Sequence, residues 1–272
     1  MALPTPNEHT TAIVTGASSG IGAEIARELA RRGHGLTLVA RRRDRLEALA
    51  AALADAHGVR AEVVAADLTD ADSRAAIATQ VESFGLTPDV LVNNAGFTTM
   101  GHVRRSDRAA ELALVRTNVE AVVDLCALFI PGMATRRLGA VLNTASTAAF
   151  QPLPGQASYG ASKAFVLSYG RALAAELHGS GVSVTTLCPG PVETGFAEVA
   201  GMTDAEAAET LPKFMWVPAS DVARAAVEGM AAGRTVVIPG AANRVGAGLA
   251  HLTPKSLLVP LMAKRHPALQ DD

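Results

Sequence analysis

The sequence predicts an α/β fold in which a doubly wound parallel sheet of about seven strands carries helices on both faces. Short runs rich in β-branched residues alternate along the chain with longer periodic segments rich in alanine and leucine. The short runs are apolar throughout, which is typical of parallel strands buried on both faces. Right-handed crossovers between such strands then give a doubly wound sheet.

Each element follows from one of these two patterns. The β-branched runs predict strands at 11–15 "TAIVT", 35–40 "GLTLVA", 61–65 "AEVVA", 89–92 "DVLV", 139–145 "GAVLNTA", 182–187 "VSVTTL" and 234–238 "RTVVI". The periodic segments predict helices near 21–32, 44–56, 71–83, 106–130, 157–178 and 220–231. Because no linker or repeat interrupts this series, we expect a single domain over 1–272 with a C-terminal extension from about 241.

The composition excludes several classes of protein. Hydrophobic residues make up 49% of the 272 positions, which argues against disorder or a coiled coil. The formal net charge of −2 gives no electrostatic reason to expect nucleic acid or an anionic membrane as a partner. The N-terminus has no signal-sequence pattern, and no uninterrupted apolar run reaches about 18 residues. Cys126 and Cys188 lie in apolar runs, so we expect reduced core thiols, no metal site and a cytoplasmic location.

A glycine-rich turn, "TGASSGIG" at 15–22, joins the first strand to the first helix. Such a turn brings backbone amides close to a diphosphate, and the helix N-terminus adds partial positive charge. The spacing is G-x-x-x-G-x-G and not G-x-G-x-x-G. A plain strand–helix turn would explain one glycine but not three, so we predict a dinucleotide site. Its residues are Gly16, Ser18, Ser19, Gly20, Ile21 and Gly22.

The end of the second strand indicates which dinucleotide binds. An acidic residue usually accepts the ribose 2′-hydroxyl of NAD near this point, but here Ala40 is followed by Arg41, Arg42 and Arg43. A guanidinium gives a bidentate fit to a 2′-phosphate. We therefore predict NADP(H) over NAD(H), with Arg41 as the main contact and Arg42 beside it. The alternative is a solvated basic start to the second helix.

Tyr159 and Lys163 are four residues apart in a predicted helix, so they share a face at a Cβ separation of about 5–6 Å. A nearby ammonium, like the positive ring of an oxidised nicotinamide, favours the phenolate and should bring the tyrosine pKa closer to working pH. Ser146, at the predicted end of the fifth strand, can donate a hydrogen bond to the same substrate oxygen.

Motifs spread along the chain resemble those of the single-domain short-chain dehydrogenase/reductase family, which has a Rossmann-type fold. They appear in family order over about residues 11–240: "TGASSGIG" at 15–22, "ADL" at 66–68, "NNAG" at 93–96, Asn118 in "RTNVEA", Ser146 in "LNTAS", "YGASK" at 159–163 and "PGPVET" at 189–194. The resemblance implies that Ser146 polarises the substrate oxygen, Tyr159 transfers the proton and Lys163 holds the nicotinamide ribose. It also implies that Asn118 binds a water that relays protons to Lys163.

The same resemblance implies further cofactor contacts. Asp67 and Leu68 would lie beside the adenine, and Asn93, Ala95 and Gly96 along the ribose and diphosphate. Pro189, Gly190, Val192 and Thr194 would hold the carboxamide end. A strand-end cap for Asn93 and a turn or helix cap for Asp67 remain alternatives.

The expected activity is interconversion of a hydrophobic ketone or aldehyde and an alcohol. The candidate pocket residues are Phe97, Phe150, Leu153, Gln156, Phe196 and Trp216, although ordinary core packing would also explain an apolar set. The segment 195–215 is a candidate lid. A non-catalytic NADP(H)-binding redox sensor is the alternative function, but it would not need Asn118, Ser146, Tyr159 and Lys163 together.

The C-terminal extension is predicted to form two short apolar-faced helices separated by Pro254. We expect it to be buried against a partner subunit, with a position over the substrate entrance as the second choice and a membrane surface as the third. The predicted helices 106–130 and 157–178 resemble those that pair subunits in the family, so a homo-oligomer, either a dimer or a tetramer, is expected.

Overall fold

The computed structural model describes residues 3–192, 212–265 and 269. A seven-stranded sheet runs through it in the order β3-β2-β1-β4-β5-β6-β7, and every neighbouring pair is parallel. The strands are β1 Thr10–Thr15, β2 Leu36–Ala40, β3 Ala61–Ala65, β4 Thr87–Asn93, β5 Gly139–Thr144, β6 Val182–Leu187 and β7 Val236–Val237. The predicted doubly wound sheet is confirmed.

Helices follow most strands. They are α1 Gly20–Arg31, α2 Arg43–His57, α3 Ala71–Ser83, α4 Arg108–Val115, α5 Ala121–Arg136, α6 Ala157–Glu176, α7 Ala219–Ala231, α8 Ala241–Leu252 and α9 Lys255–Arg265. Short 3₁₀ turns lie at Val103–Arg105, Thr147–Phe150 and Lys213–Met215. The last two helices confirm the prediction for the extension, and Pro254 lies between them because it cannot continue a helix with normal hydrogen bonding. No helix in the described part of the chain has the length and apolar character needed to cross a bilayer.

Two apolar layers cover the sheet. Leu29, Leu46 and Val227, from α1, α2 and α7, pack on one face. Ile77, Leu125 and Val166, from α3, α5 and α6, pack on the other. Since both faces are covered, a ligand can reach the sheet only at its edges. The strand order reverses between β1 and β4, so the carboxyl ends of these strands form the expected binding crevice.

Two elements differ from the sequence prediction. The helix predicted over 106–130 is interrupted by a π-helical turn, Arg116–Glu120, and α5 then continues to Arg136. A π turn inserts one residue without disturbing the apolar character of the segment, so hydrophobic periodicity does not reveal it. β7 contains only Val236–Val237 instead of 234–238, because it pairs with β6 at two positions and forms the edge of the sheet.

Candidate active site

Each glycine of the turn after β1 is required by conformation or by space. Gly16 has φ +67° and Gly20 has φ +56°, in the left-handed region that residues with side chains rarely adopt. A Cβ at Gly22 would overlap the carbonyl oxygen of Gly16 and lie 2.5 Å from Asn94 Nδ2. The three glycines therefore allow the turn to pass close beneath the loop that follows β4.

The first turn of α1 suits an anion. Ser19 precedes the helix but its side chain does not cap it, and the first turn contains no acidic residue. The first backbone amides of a helix lack partners within the helix and carry partial positive charge. Together with the glycine turn, this arrangement fits the diphosphate of a dinucleotide.

Asn94 connects the ends of β1 and β4 beside the turn. Its backbone amide donates to Thr15 Oγ1 at 2.9 Å, and its Nδ2 donates to the Thr15 carbonyl at 3.1 Å. The Thr15 hydroxyl in turn donates to the Val92 carbonyl at 3.1 Å. These bonds fix the crevice at the point where the strand order reverses.

The side chain of Asn93 points into the sheet, so only its backbone faces the crevice beside the glycine turn. Asn93 is 3% exposed, and its Nδ2 donates to Asn143 Oδ1 on β5 at 2.9 Å, within the sheet interior. Successive residues of a strand point to opposite faces, so one of two adjacent asparagines must point inward. Asn94, the second asparagine of "NNAG" and absent from the predicted contacts, is the one whose side chain lies at the glycine turn.

Arg42 is the arginine after β2 whose side chain reaches the glycine turn, while the predicted contact of Arg41 with a 2′-phosphate stays a prediction. Arg42 Nη2 donates to Ser18 Oγ and to Ser19 Oγ, both at 2.8 Å, so Arg42 and not Arg41 contacts the glycine turn. Arg41 is close enough to Asp67 for its charge to help lower the pKa of that carboxyl. The two arginines therefore lie between the glycine turn and the loop that contains Asp67.

Asp67 has the turn role that the sequence left open. Its Oδ1 accepts hydrogen bonds from the amide and the hydroxyl of Thr69, both at 2.9 Å, and the amide bond is the main reason why the pKa of Asp67 is lowered. Leu68 is buried, and its carbonyl accepts from the buried Arg74 Nη1 at 2.8 Å. The loop that the resemblance places beside the adenine is thus rigidly held.

The predicted tetrad comes together at the carboxyl edge of the sheet. Lys163 Nζ donates to the Thr144 carbonyl at 3.0 Å and lies 5.7 Å from the centre of the Tyr159 ring. The Ser146 side chain lies close enough to the Tyr159 hydroxyl to help lower its pKa. Ser146 Oγ also lies 3.5 Å from the Pro189 carbonyl. Ser146 and Tyr159 therefore present two hydroxyls at one point, with an ammonium close behind.

Asn118 is held by the loop after β4. Its Oδ1 accepts from the amide of Phe97 at 3.1 Å, and its Nδ2 donates to the Phe97 carbonyl at 2.9 Å and to Ser162 Oγ at 3.1 Å. A Cβ at Gly96 would lie 3.0 Å from Asn118 Oδ1 and 3.3 Å from Lys163 Nζ. The π turn thus places Asn118 beside Lys163. Such turns occur frequently at functional sites.

Burial dominates the electrostatics of the site. It raises the pKa of Tyr159, and the hydrogen bond from Ser146 offsets only part of this effect. It also lowers the pKa of Lys163 to about 8. The sequence led us to expect that Lys163 would lower the pKa of Tyr159. Instead, the surroundings of low polarity disfavour the charged form of each group.

The loop after β6 lies beside Ser146. The Pro189 carbonyl accepts from the Thr147 amide at 2.9 Å, and the Pro191 carbonyl accepts from the Val217 amide at 3.1 Å. Gly190 is tightly packed against Asn243 of α8, whose Nδ2 would lie 2.5 Å from an added Cβ. Val192 is the last described residue before a gap, and Thr194 lies outside the described residues.

Most of the candidate substrate residues are described, and Phe97 and Leu153 adjoin the tetrad. Phe97, Phe150, Leu153, Gln156 and Trp216 are all half-buried. The side chain of Leu153 contacts Gly160, next to Tyr159, and Gln156 Nε2 donates to Thr98 Oγ1 at 2.9 Å. Phe196, and all but the last few residues of the candidate lid 195–215, lie outside the described residues.

The C-terminal extension packs on this same side of the molecule. The buried face of α8 lies against the 3₁₀ turns Thr147–Phe150 and Lys213–Met215, and Lys255 Nζ donates to the Phe150 carbonyl at 3.2 Å. The extension therefore adjoins loops that carry candidate substrate residues, and its burial against a partner subunit stays a prediction.

The cysteines and acidic groups do not form a second site in the described residues. Cys126 and Cys188 are free and buried, and burial raises the pKa of each thiol to about 12. The described side chains include no group of three or more His, Cys, Asp or Glu residues that could hold a metal ion.

Comparison with known proteins agrees with this geometry. A nucleotide-binding sheet with a serine, a tyrosine and a lysine at its carboxyl edge defines a class of oxidoreductases. Residues 10–204 match the short chain dehydrogenase family, and the chain belongs to that family. Its general role is that of a hydride-transferring oxidoreductase with a nicotinamide cofactor.

Three relatives illustrate the range of similarity. A short chain dehydrogenase of Pseudocercospora fijiensis is 37% identical over 186 residues, which is 68% of this chain but only 60% of that protein. A short-chain dehydrogenase of Sphingobium yanoikuyae in complex with NADPH is 33% identical, with a TM-score of 0.77 and coverage of 97% of this chain and 96% of that one. A family member of Burkholderia phymatum in complex with NAD is 26% identical, with a TM-score of 0.80 and coverage of 93% and 96%.

Proposed function

We propose that this protein is an NADP(H)-dependent oxidoreductase that interconverts a hydrophobic ketone or aldehyde and the corresponding alcohol, with Tyr159 as the acid and base. The observation that carries the proposal is the close approach of the Tyr159 hydroxyl and the Ser146 side chain, with Lys163 Nζ 5.7 Å from the tyrosine ring. It places two donors where a carbonyl oxygen can be bound, at the same edge as the glycine turn.

When bound, a nicotinamide cofactor would provide the hydride that carbonyl reduction requires. The substrate oxygen replaces the contact between Ser146 and Tyr159, so that each hydroxyl donates to it. Tyr159 transfers its proton to that oxygen, and the phenolate that remains is stabilised by the Lys163 ammonium. Since the pKa of Lys163 is about 8, most of this group is still protonated at neutral pH.

Lys163 and Asn118 complete the machinery in this proposal. The resemblance assigns the nicotinamide ribose hydroxyls to Lys163 and a proton-relaying water to Asn118. The position of Gly96 supports a shared space, because a Cβ there would lie close to both Asn118 Oδ1 and Lys163 Nζ. Alcohol oxidation would use the same groups in reverse, with Tyr159 accepting the proton.

Tyr159→Phe separates the enzyme from the alternative, a redox sensor without turnover. The variant keeps the ring and removes only the hydroxyl, so turnover should fall by at least about 10³-fold while the Kd for NADPH changes little. Turnover is followed by NADPH absorbance, and NADPH binding by fluorescence titration. A variant with substantial residual turnover would contradict the mechanism. Wild-type protein that binds NADPH but reduces no carbonyl compound in a broad panel would favour the sensor.

The preference for NADP(H) is supported by the arginines after β2. Arg42 already spans Ser18 and Ser19, Arg41 lies near Asp67, and no acidic residue occurs between Ala40 and Arg43. Family members bind NADPH or NAD, so the family alone does not choose between them.

Kinetics with both cofactors test this preference. We expect kcat/KM to be higher with NADPH, and Arg42→Ala to lower it by about 10-fold or more with NADPH but little with NADH. Arg43→Ala is the matched control, because Arg43 is exposed and pairs with Glu47 at 3.6 Å. A wild-type preference for NADH would overturn the proposal.

The apolar residues near the tetrad support a hydrophobic substrate. Phe97, Phe150, Leu153 and Trp216 are half-buried side chains, and Leu153 contacts Gly160 next to Tyr159. A panel of aliphatic, aromatic and charged carbonyl compounds with NADPH tests this inference. Exclusive turnover of a small charged substrate would contradict it.

Assembly and location are also part of the proposal. Leu112, Val115, Leu128 and Phe165 are large apolar side chains exposed on α4, α5 and α6, which supports a homo-oligomer through these helices. Light scattering after gel filtration should give a dimer or a tetramer, and a monomer would contradict this. The free thiols of Cys126 and Cys188 fit a reducing cytoplasm, which cell fractionation would test.

A further inference from the structure

Asn243 lies in the C-terminal extension but is among the most deeply buried polar residues described. It is 1% exposed, although α8 is otherwise a surface helix with exposed residues such as Val245 and Leu249. Its Nδ2 donates to the Met215 carbonyl at 2.9 Å and to the Pro239 carbonyl at 3.2 Å. One amide group therefore joins the end of β7 to the 3₁₀ turn Lys213–Met215.

The other side of the same amide lies against the loop after β6. An added Cβ at Gly190 would overlap Asn243 Oδ1 and Cγ and lie 2.5 Å from Nδ2. Asn243 Oδ1 is buried without a hydrogen-bond partner among the described residues. An unpaired buried acceptor destabilises the fold, so stability alone would not favour Asn243 at this place.

Asn243 thus touches segments that border both ligands of the proposed enzyme. The loop 189–192 is the one that the family resemblance places at the carboxamide end of the cofactor, and it is also bonded to Val217 and Thr147. The segment 213–217 contains Trp216, a candidate substrate residue. A displacement of the amide would therefore move both loops together.

We propose that Asn243 is a positioning residue through which the C-terminal extension sets the place of loop 189–192 and of segment 213–217, and so controls binding of the nicotinamide end of the cofactor and of substrate. This inference rests on the proposed function. It assigns to α8 a role in the active site, in a part of the chain beyond the residues that match the family.

A double-mutant cycle with Gly190 tests the contact. Gly190→Ala should weaken NADPH binding by about tenfold, because the new methyl group meets the Asn243 amide and must displace the loop. Asn243→Ala should also weaken it, because the loop loses its support. The double variant should bind NADPH more tightly than Gly190→Ala alone, since the smaller side chain at 243 makes room for the methyl group. Additive losses in NADPH fluorescence titrations would overturn the proposal.

Hydrogen exchange provides a readout that does not depend on activity. In Asn243→Ala, the amides of Thr147, Met215 and Val217 should exchange at least about tenfold faster, while amides of β1 keep the wild-type rate. Val245→Ala is the matched control, because Val245 is on the same helix and 63% exposed, and it should leave all these rates unchanged. Faster exchange at all amides would show a merely structural role and overturn the proposal. Unchanged exchange rates at Thr147, Met215 and Val217 would also overturn it.

Asn243→Asp separates shape from hydrogen bonding. The carboxylate has almost the same volume, but it places an oxygen opposite the carbonyls of Met215 and Pro239, so we expect a loss of NADPH affinity at least as large as that of Asn243→Ala. Wild-type affinity in this variant would overturn the positioning role. Failure of the wild-type protein to bind NADPH would instead contradict the proposed function, whereas the exchange measurements would still test the contact.

Discussion

Lys163→Met should inactivate the enzyme and at the same time stabilise its fold. Lys163 is 5% exposed, and burial lowers its pKa from 10.5 to about 8. The folded chain therefore holds an ammonium in surroundings that disfavour charge, and this lowers the free energy of unfolding. In the proposed mechanism the same ammonium is needed for proton transfer. A methionine of similar length fills the space without the charge.

The magnitude follows from linkage between protonation and folding. A shift of this size corresponds to about 3 kcal/mol. The variant also loses the hydrogen bond to the Thr144 carbonyl, worth about 1 kcal/mol, so a net gain of about 2 kcal/mol is expected at pH 7. Because the folded state binds fewer protons than the unfolded state between pH 8 and 10.5, the wild-type protein regains this stability as the pH rises through that window.

Urea unfolding without added nucleotide, at pH 7 and at pH 9.5, measures both effects. The free energy of unfolding of Lys163→Met should exceed that of the wild type at pH 7, and the difference should shrink at pH 9.5. Tyr159→Phe is the matched control, since it should also be inactive but should not show this pH-dependent gain. A Lys163→Met variant that is less stable than the wild type at pH 7 would refute the reasoning.

Three further predictions concern the rest of the chain. Burial raises the pKa of Asp89 from 3.8 to about 6, so the folded state binds more protons than the unfolded state between these values and its free energy of unfolding falls by about 3 kcal/mol as the pH rises. Urea unfolding of Asp89→Asn should lack this fall. Parallel curves of stability against pH for the two proteins would contradict it. Gly22→Ala should weaken NADPH binding by at least about tenfold in fluorescence titrations, because its methyl group overlaps the Gly16 carbonyl; an unchanged Kd would argue against this placement of the turn. Arg74→Met should lower the free energy of unfolding by about 3 kcal/mol, because the buried Arg74 guanidinium links α3 to Glu120 of the π turn at 2.6 Å and the variant removes this ion pair. Equal urea midpoints for variant and wild type would contradict this.

Most of the fold could be predicted from local pattern. The first six strands lie within two residues of the predicted bounds, because continuous β-branched runs in a doubly wound sheet have few alternative conformations. The four residues of the tetrad also come together as predicted, since each lies at or just beyond the carboxyl end of a strand or on a helix that packs there.

Side-chain orientation was harder to predict than position. "NNAG" predicts an asparagine near the glycine turn, but only the strand geometry decides that the side chain of Asn94 points to this turn and that of Asn93 into the core. Similarly, three consecutive arginines indicate a basic cluster, and only the path of the chain decides that Arg42 spans the two serines. A π turn within an otherwise helical pattern leaves no mark on hydrophobic periodicity.

The sequence alone determined the class of sheet, the glycine turn and the set of groups available for proton transfer, because these depend on residue type and on spacing along the chain. Only the tertiary structure decided the protonation behaviour of Tyr159 and Lys163 and the place of the extension against Gly190. Burial depends on every element packed around a group, and the contact between Gly190 and Asn243 joins residues far apart in the sequence, so neither could be derived from local pattern.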